Sequence, residues 1–167
     1  QHGVNRDLRR LLATASVATA ATFLPRSLQA AAKLPPTRWP VGCFNRPFNK
    51  WSFDETLDGI KAAGYHYTGL LSPTRNAPFT PATATPDYLA ALKQKIAARG
   101  LKVNMTALRI KNTAPLAEAI ADCRKQLENG QFMGVEYALT FGVDNPAHYN
   151  QYFKVMADAA AFAQERK

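Results

Sequence analysis

Polar side chains that could bind a sugar or an anion lie within or just beyond four short apolar runs of this sequence. Amides and guanidinium groups donate hydrogen bonds to hydroxyl, carboxylate or phosphate oxygens, and Ser and Thr hydroxyls both donate and accept. The adjacent pair Asn45-Arg46 is the most informative, against the alternative that Asn45 caps a turn and Arg46 is solvated. We predict a substrate-binding role for seven residues: Asn45, Arg46, Ser72, Arg75, Asn104, Arg109 and Thr140.

The residue types that most often bind transition metals do not form a recognisable set. His66 lies near the start of the second apolar run, His148 opens the last helical pattern, and His2 is close to the amino terminus. Cys43 and Cys123 are too far apart to match zinc or thioredoxin spacing, and we interpret both as buried free thiols. The sequence therefore leaves the catalytic residues unknown, and it assigns no metal ligand.

Alternating strands and helices must position the seven polar residues. The apolar runs predict four strands, at 41–45, 65–72, 101–108 and 135–142. A helix-start signal follows each strand. These signals are, in order, Ser52 with Glu55 as a capping box, Thr85-Pro86, Thr113–Pro115 and Asn145-Pro146.

Three glycines indicate that one unit is repeated along the chain. Gly64, Gly100 and Gly134 recur at nearly equal spacing, and a strand, a polar loop and a helix follow each of them. Four such βα units need right-handed crossovers between parallel strands. The helix of the last unit is predicted to carry one row of apolar side chains along one side: Tyr149, Phe153, Met156 and Ala160.

The repeat predicts an α/β fold in which residues 41–167 form the first half of a (β/α)8 TIM barrel. The alternative is a small open doubly wound sheet, but no glycine-rich phosphate-binding motif follows the first strand. The period places a fifth strand directly beyond Lys167. In a barrel the active face is built from the carboxyl ends of the strands, where most of the predicted binding residues fall.

Basic residues are concentrated at the amino terminus. The chain has 167 residues and a formal charge of +9, and more than half of that excess lies in residues 1–38. This distribution gives no support to a nucleic-acid partner. No apolar run reaches the ~18 residues that a membrane span needs.

The same region has the order of an export signal. Arg9-Arg10 precede the apolar stretch 11–24, and Ala30-Ala31-Ala32 fit a cleavage site. We predict a twin-arginine-like signal at 1–32, a Pro-rich linker at 33–40, and a periplasmic or secreted protein. A surface amphipathic helix or a lipid-facing anchor is the alternative.

Three blocks of the sequence resemble the xylose-isomerase-like (β/α)8 barrels, the superfamily of sugar-phosphate isomerases and epimerases. They are FDETLDGIKAAGYHYTGLL, YLAALKQKIAARGLKVN and EAIADCRKQLENGQFMGVEYALTFG. The resemblance covers residues 42–167 and lies in the scaffold, without a catalytic signature. Many relatives place an acidic residue near the end of the second strand, whereas this chain has TGLLS at 68–72.

The resemblance implies an isomerase or epimerase that acts on a small sugar, sugar phosphate or polyol. In the family a divalent metal such as Mg²⁺ or Mn²⁺ polarises the substrate while carboxylates move a proton between adjacent carbons. Its ligands come largely from strands five to eight, so the resemblance assigns none to this chain. Two other functions stay open: a non-catalytic carbohydrate-binding barrel and a DNA-repair endonuclease relative, which the dispersed charge disfavours.

Half a barrel leaves its first and fourth strands without neighbours and exposes an apolar interior. We therefore predict that residues 33–167, made alone, are poorly soluble, self-associated and inactive. An oligomer is possible for the same reason.

Overall fold

The computed structural model describes residues 39–77 and 82–166. The predicted export signal and most of the predicted linker lie outside these ranges. Within them, strands and helices alternate, with short 3-10 helices at Arg46–Phe48 and Pro146–His148. The main elements are β1 (Gly42–Phe44), α1 (Phe53–Ala62), β2 (Tyr67–Leu70), α2 (Pro86–Ala97), β3 (Lys102–Ala107), α3 (Leu116–Met133), β4 (Tyr137–Leu139) and α4 (Tyr149–Gln164).

The four strands form one sheet in the order β1-β2-β3-β4, and every neighbouring pair is parallel. This confirms the prediction of four consecutive βα units. One row across the sheet joins Phe44, Gly69, Met105 and Tyr137 as successive partners. The row contains a close approach, because a Cβ at Gly69 would overlap the Phe44 ring. Glycine at this position lets the ring lie flat against the neighbouring strand.

The predicted helix starts are confirmed for α1 and α2. The Ser52 hydroxyl accepts a hydrogen bond from the Glu55 amide while the Glu55 carboxylate accepts one from the Ser52 amide. The Thr85 hydroxyl accepts from the Tyr88 amide at the start of α2. These bonds satisfy amides that have no partner inside the helix.

The three repeated glycines end the helices that precede β2, β3 and β4. Gly64, Gly100 and Gly134 have φ angles of 87°, 63° and 84°. Residues with a side chain rarely adopt this left-handed conformation, so the glycines set the turn from each helix to the next strand.

The strands are shorter than the apolar runs that predicted them. Leu71 and Leu108 lie beyond the ends of β2 and β3 but are only 9% and 6% exposed. Burial therefore continues into the loops after the hydrogen-bonded ladder has ended, and apolarity alone overestimates the length of a strand.

The apolar residues form two clusters. The first joins α1 and α2 to the sheet, with Leu57 and Ile60 fully buried. The second lies between α3 and α4 and includes Cys123 and Val155. Of the described helices, none is long and apolar enough to cross a lipid bilayer.

The row of apolar side chains predicted on α4 is not the most buried side of that helix, although Met156 packs against the second cluster. Tyr149 and Phe153 are 43% and 63% exposed, whereas Val155, Ala159 and Phe162 are buried. Both rows recur at helical spacing, so α4 is apolar on two sides. The contact with α3 decides which row is buried.

Candidate functional site

The carboxyl ends of β1 to β4 lie at one edge of the sheet because the strands are parallel. Each helix begins near the same edge, since the chain leaves a strand there and enters the next helix. We call residues 45–46, 71–75, 108–112 and 140–142 the carboxyl edge. Six of the seven predicted binding residues belong to it, and the seventh, Asn104, lies within β3.

Asn45 joins the end of β1 to the end of β2. Its Oδ1 accepts hydrogen bonds from the amides of Leu71 (2.9 Å) and Ser72 (3.1 Å), and its Nδ2 donates to the Ser72 carbonyl at 2.6 Å. The backbone amide of Asn45 donates to the Gly69 carbonyl. The side chain is 1% exposed. Most of the hydrogen bonds that this side chain can form are made with backbone groups, so Asn45 positions the loop after β2.

Arg109 extends from the end of β3 towards both neighbouring strands. Its Nη2 donates to the Leu71 carbonyl at 3.0 Å, and the guanidinium lies 5.9 Å from the centre of the Phe141 ring. Its backbone is held by Gln126 on α3, whose side chain accepts from the Arg109 amide and donates to the Arg109 carbonyl. The guanidinium is therefore fixed across the ends of β2, β3 and β4.

Arg75 is directed towards the start of α1. Its Nη2 lies 3.2 Å from Glu55 Oε2, and its amide donates to the Trp51 carbonyl. The Ser52 hydroxyl, followed by the Ser52 amide and the charge of Arg75, holds the pKa of the Glu55 carboxyl below its usual value. Both members of the ion pair are mostly exposed, so the pair contributes little to stability.

Arg46 and Thr140 lie at the two ends of the carboxyl edge. Arg46 is exposed at the start of the first 3-10 helix. The Thr140 hydroxyl lies 2.8 Å from the Tyr152 hydroxyl of α4, and this bond holds the end of β4 against the helix that follows it.

Asn104 is an extra residue in β3. Thr68 pairs with Val103 and Gly69 with Met105, so Asn104 has no partner in β2 and forms a bulge. Its carbonyl accepts from the Glu136 amide. The residue lines a cavity of about 100 Å³, together with Pro40, Gly42, Phe44, Gly69 and Met105.

The structure thus brings together three of the seven predicted residues. Asn45, Ser72 and Arg109 meet at the backbone of Leu71 and Ser72, where Asn45 binds from one side and Arg109 from the other. The other four stand apart from this group: Arg46, Arg75, Asn104 and Thr140.

Gln126 is a residue that the sequence analysis missed. It is 2% exposed, its Nε2 also donates to Asp122, and it holds both backbone groups of Arg109. The available signal was an amide within the buried face of a long helix, since a buried amide needs partners.

No metal centre and no activated thiol are found among the described residues. Residues 39–77 and 82–166 contain no group of three or more His, Cys, Asp or Glu placed to hold a metal ion. Cys43 and Cys123 are free thiols, as predicted, but only Cys123 is buried, and Cys43 is half-buried. Burial raises the pKa of Cys43, and burial with the charges of Asp122 and Asp158 raises the pKa of Cys123 to about 11. Both thiols are therefore poor nucleophiles at neutral pH.

No protein-family model and no curated protein matches the chain. Solved structures do match. A D-psicose 3-epimerase crystallised in the presence of D-fructose has a TM-score of 0.55 at 12% identity, with 74% of this chain and 48% of that one covered. A sugar phosphate isomerase/epimerase from Parabacteroides distasonis ATCC 8503 has a TM-score of 0.56 at 12% identity (75% and 47% covered).

A xylose isomerase domain protein from Alicyclobacillus acidocaldarius is also similar, with a TM-score of 0.52 at 15% identity (72% and 44% covered). The chain spans about half the length of these structures. Their likeness establishes the fold: the four βα units have the fold of half a TIM barrel.

Proposed function

We propose that this chain contributes half of the barrel of a sugar isomerase or epimerase, and that its carboxyl edge binds the sugar. The observation that carries the proposal is the match of the four-stranded sheet to half of a D-psicose 3-epimerase and of a sugar phosphate isomerase/epimerase. Barrel enzymes bind their substrates at this edge. The group of Asn45, Ser72 and Arg109 supports substrate binding here.

The described residues suit substrate positioning better than proton transfer. The carboxyl edge contains amide, hydroxyl and guanidinium groups and the Lys111 ammonium group, but no Asp, Glu or His. Asn45 and Gln126 hold the backbone around Leu71 and Arg109, so a bound sugar would meet donors that are already oriented. The acid and base of the proposed reaction would come from outside the described residues.

The divalent metal of the proposed reaction, Mg²⁺ or Mn²⁺, does not fit the described residues. They offer no cluster of carboxylates or imidazoles, and the most firmly held charge at the carboxyl edge is the cation of Arg109. The proposal therefore gives this chain no metal ligand and no step through a metal.

Exchange of a substrate hydrogen with solvent tests the proposed function. The chain would be expressed with any coding sequence that adjoins it in its gene, and incubated with D-fructose or fructose 6-phosphate in D₂O with added Mn²⁺. We expect an epimer or aldose–ketose isomer to form with deuterium at the reacting carbon, detected by proton NMR. Sugar binding without exchange would instead indicate the carbohydrate-binding function.

We also propose that residues 1–32 direct export, on the basis of Arg9-Arg10 and the apolar stretch after them. Residues 1–38, after an added initiator Met, would be fused to a reporter that is scored in the periplasm. We expect periplasmic reporter that is lost when both arginines are changed to lysine. A reporter that stays in the cytoplasm with both arginines present contradicts the proposal.

A further inference from the structure

We propose that Arg109 recognises an oxyanion of the substrate, so that the sugar is a phosphate ester or a sugar acid and not a neutral sugar. The inference rests on the proposed function and narrows its substrate class. The arginine side chains in the described ranges differ in whether a carboxylate lies beside them. Four of them lie within 4.0 Å of a carboxylate: Arg75, Arg99, Arg124 and Arg166.

Arg109 differs from these four because no described carboxylate lies within that distance of it. Arg109 is exposed, as Arg46 is, but its guanidinium has protein partners that hold it in place. One N–H donates to the Leu71 carbonyl, the Phe141 ring lies beside the guanidinium, and Gln126 holds the backbone. A guanidinium has five N–H donors, so four remain for a ligand.

The charges around Arg109 favour an anion over a neutral hydroxyl. The nearby Lys111 is already compensated by Glu118 at 3.2 Å and Asp122 at 3.0 Å, and Arg75 by Glu55. The beginnings of the helices add positive potential at this edge. A guanidinium binds phosphate or carboxylate through two parallel hydrogen bonds, which a single hydroxyl cannot offer.

Protection from an arginine reagent tests the inference in the 167-residue chain, whether or not it self-associates. The chain is treated with phenylglyoxal at constant ionic strength, with inorganic phosphate, acetate, D-fructose or chloride present. Adducts at each arginine are measured by mass spectrometry of peptides. We expect phosphate or acetate to slow modification of Arg109 and to leave Arg46 unchanged, and the better protector identifies the phosphate ester or the sugar acid.

Variants give a second measurement. The affinity for inorganic phosphate, or acetate if it protects better, is measured by NMR titration of the anion. We expect Arg109→Met to weaken it by about tenfold or more, as the loss of a charged hydrogen-bonded pair implies, and Arg109→Lys to weaken it less. Arg124→Gln removes one positive charge from the outer helices and should leave the affinity unchanged. Arg109→Lys answers the question if Arg109→Met fails to fold.

Equal protection of Arg46 and Arg109, or an equal loss of affinity in Arg124→Gln, would overturn the inference by showing an effect of general surface charge. Protection by D-fructose as strong as that by either anion would also overturn it, while leaving the proposed function intact. Anion binding at Arg109 without solvent exchange in the sugar would sustain the inference and contradict the proposed function.

Discussion

The two sides of the sheet differ in how completely they are covered. On the amino-terminal side, β1 is an edge strand without a buried residue. Next to it, β2 lies between two strands, its last three residues are buried, and α1 covers it with the fully buried Leu57 and Ile60. On the carboxyl-terminal side, β4 has one described neighbour, and two of its three residues are exposed.

Four aromatic side chains are exposed on the carboxyl-terminal side: Tyr137, Phe141, Tyr149 and Phe153, at 57%, 55%, 43% and 63%. We call these residues the aromatic patch. The Tyr149 and Phe153 rings are in edge contact, with their centres 6.1 Å apart, and clustered exposed apolar side chains are typical of surfaces that bind a partner. The comparison teaches that β2, inside the sheet, is packed as in a finished domain, whereas the strand at the β4 edge is mostly exposed.

The largest expected effect is the loss of a core side chain on the covered side. Leu57→Ala removes a fully buried side chain and should lower the free energy of unfolding by about 2–5 kcal/mol. Phe153→Ala removes a larger side chain but should cost less than about 1 kcal/mol, because the ring is mostly exposed. Urea unfolding followed by circular dichroism gives both values. Equal losses would mean that the two sides are packed alike.

The next largest losses of stability are expected at the two ends of the carboxyl edge. Asn45→Ala leaves the amides of Leu71 and Ser72 without their acceptor in a buried site, and should cost about 2–4 kcal/mol. Thr140→Val removes a single bond to Tyr152 and should cost about 0.5–1.5 kcal/mol. The same unfolding measurement applies. A neutral Asn45→Ala would refute the positioning role of Asn45.

Self-association should depend on the aromatic patch. Residues 33–167 are predicted to associate, and Phe153→Lys should raise the apparent dissociation constant by about tenfold or more. Gln94→Lys adds the same charge to an exposed position of α2 and serves as the control. Sedimentation velocity across a concentration series measures both. A monodisperse wild-type monomer with a cooperative melt contradicts the prediction.

The smallest effect concerns the ion pair that joins α3 to α4. The Arg124 guanidinium, hydrogen-bonded to Asp158, holds the pKa of that carboxyl below its usual value. The pair therefore contributes stability above that usual value, and loses it as the pH falls through the lowered pKa of the folded state. Asp158→Asn should be slightly less stable than wild type at neutral pH and equal to it in acid. A difference that persists in acid would mean that Asp158 acts by packing.

Local signals predicted the order of the elements well, but they did not show which side of α4 is buried. The capping box at Ser52 and the three glycines act through neighbouring backbone, so the sequence nearby is sufficient to place them. The rows Tyr149/Phe153 and Val155/Ala159 have the same helical spacing, and only the packing of α3 selects between them.

For the candidate site, residue type and position relative to a strand end identified Asn45, Ser72 and Arg109. The same reasoning did not separate them from Arg75, because a distant residue, Glu55, lies beside that side chain in the folded chain. Nor did it identify Gln126, which acts on Arg109 from another element.

The sequence by itself determined the repeated βα unit, the parallel sheet and the edge at which the candidate binding residues gather. These follow from hydrophobic period, capping residues and glycine conformation, which depend on neighbours in the chain. Only the tertiary structure decided which polar residues meet, that Asn45 is used by the backbone, and that Arg109 keeps its donors. Those outcomes depend on distances between residues far apart in sequence, which are set by the packing of the helices on the sheet.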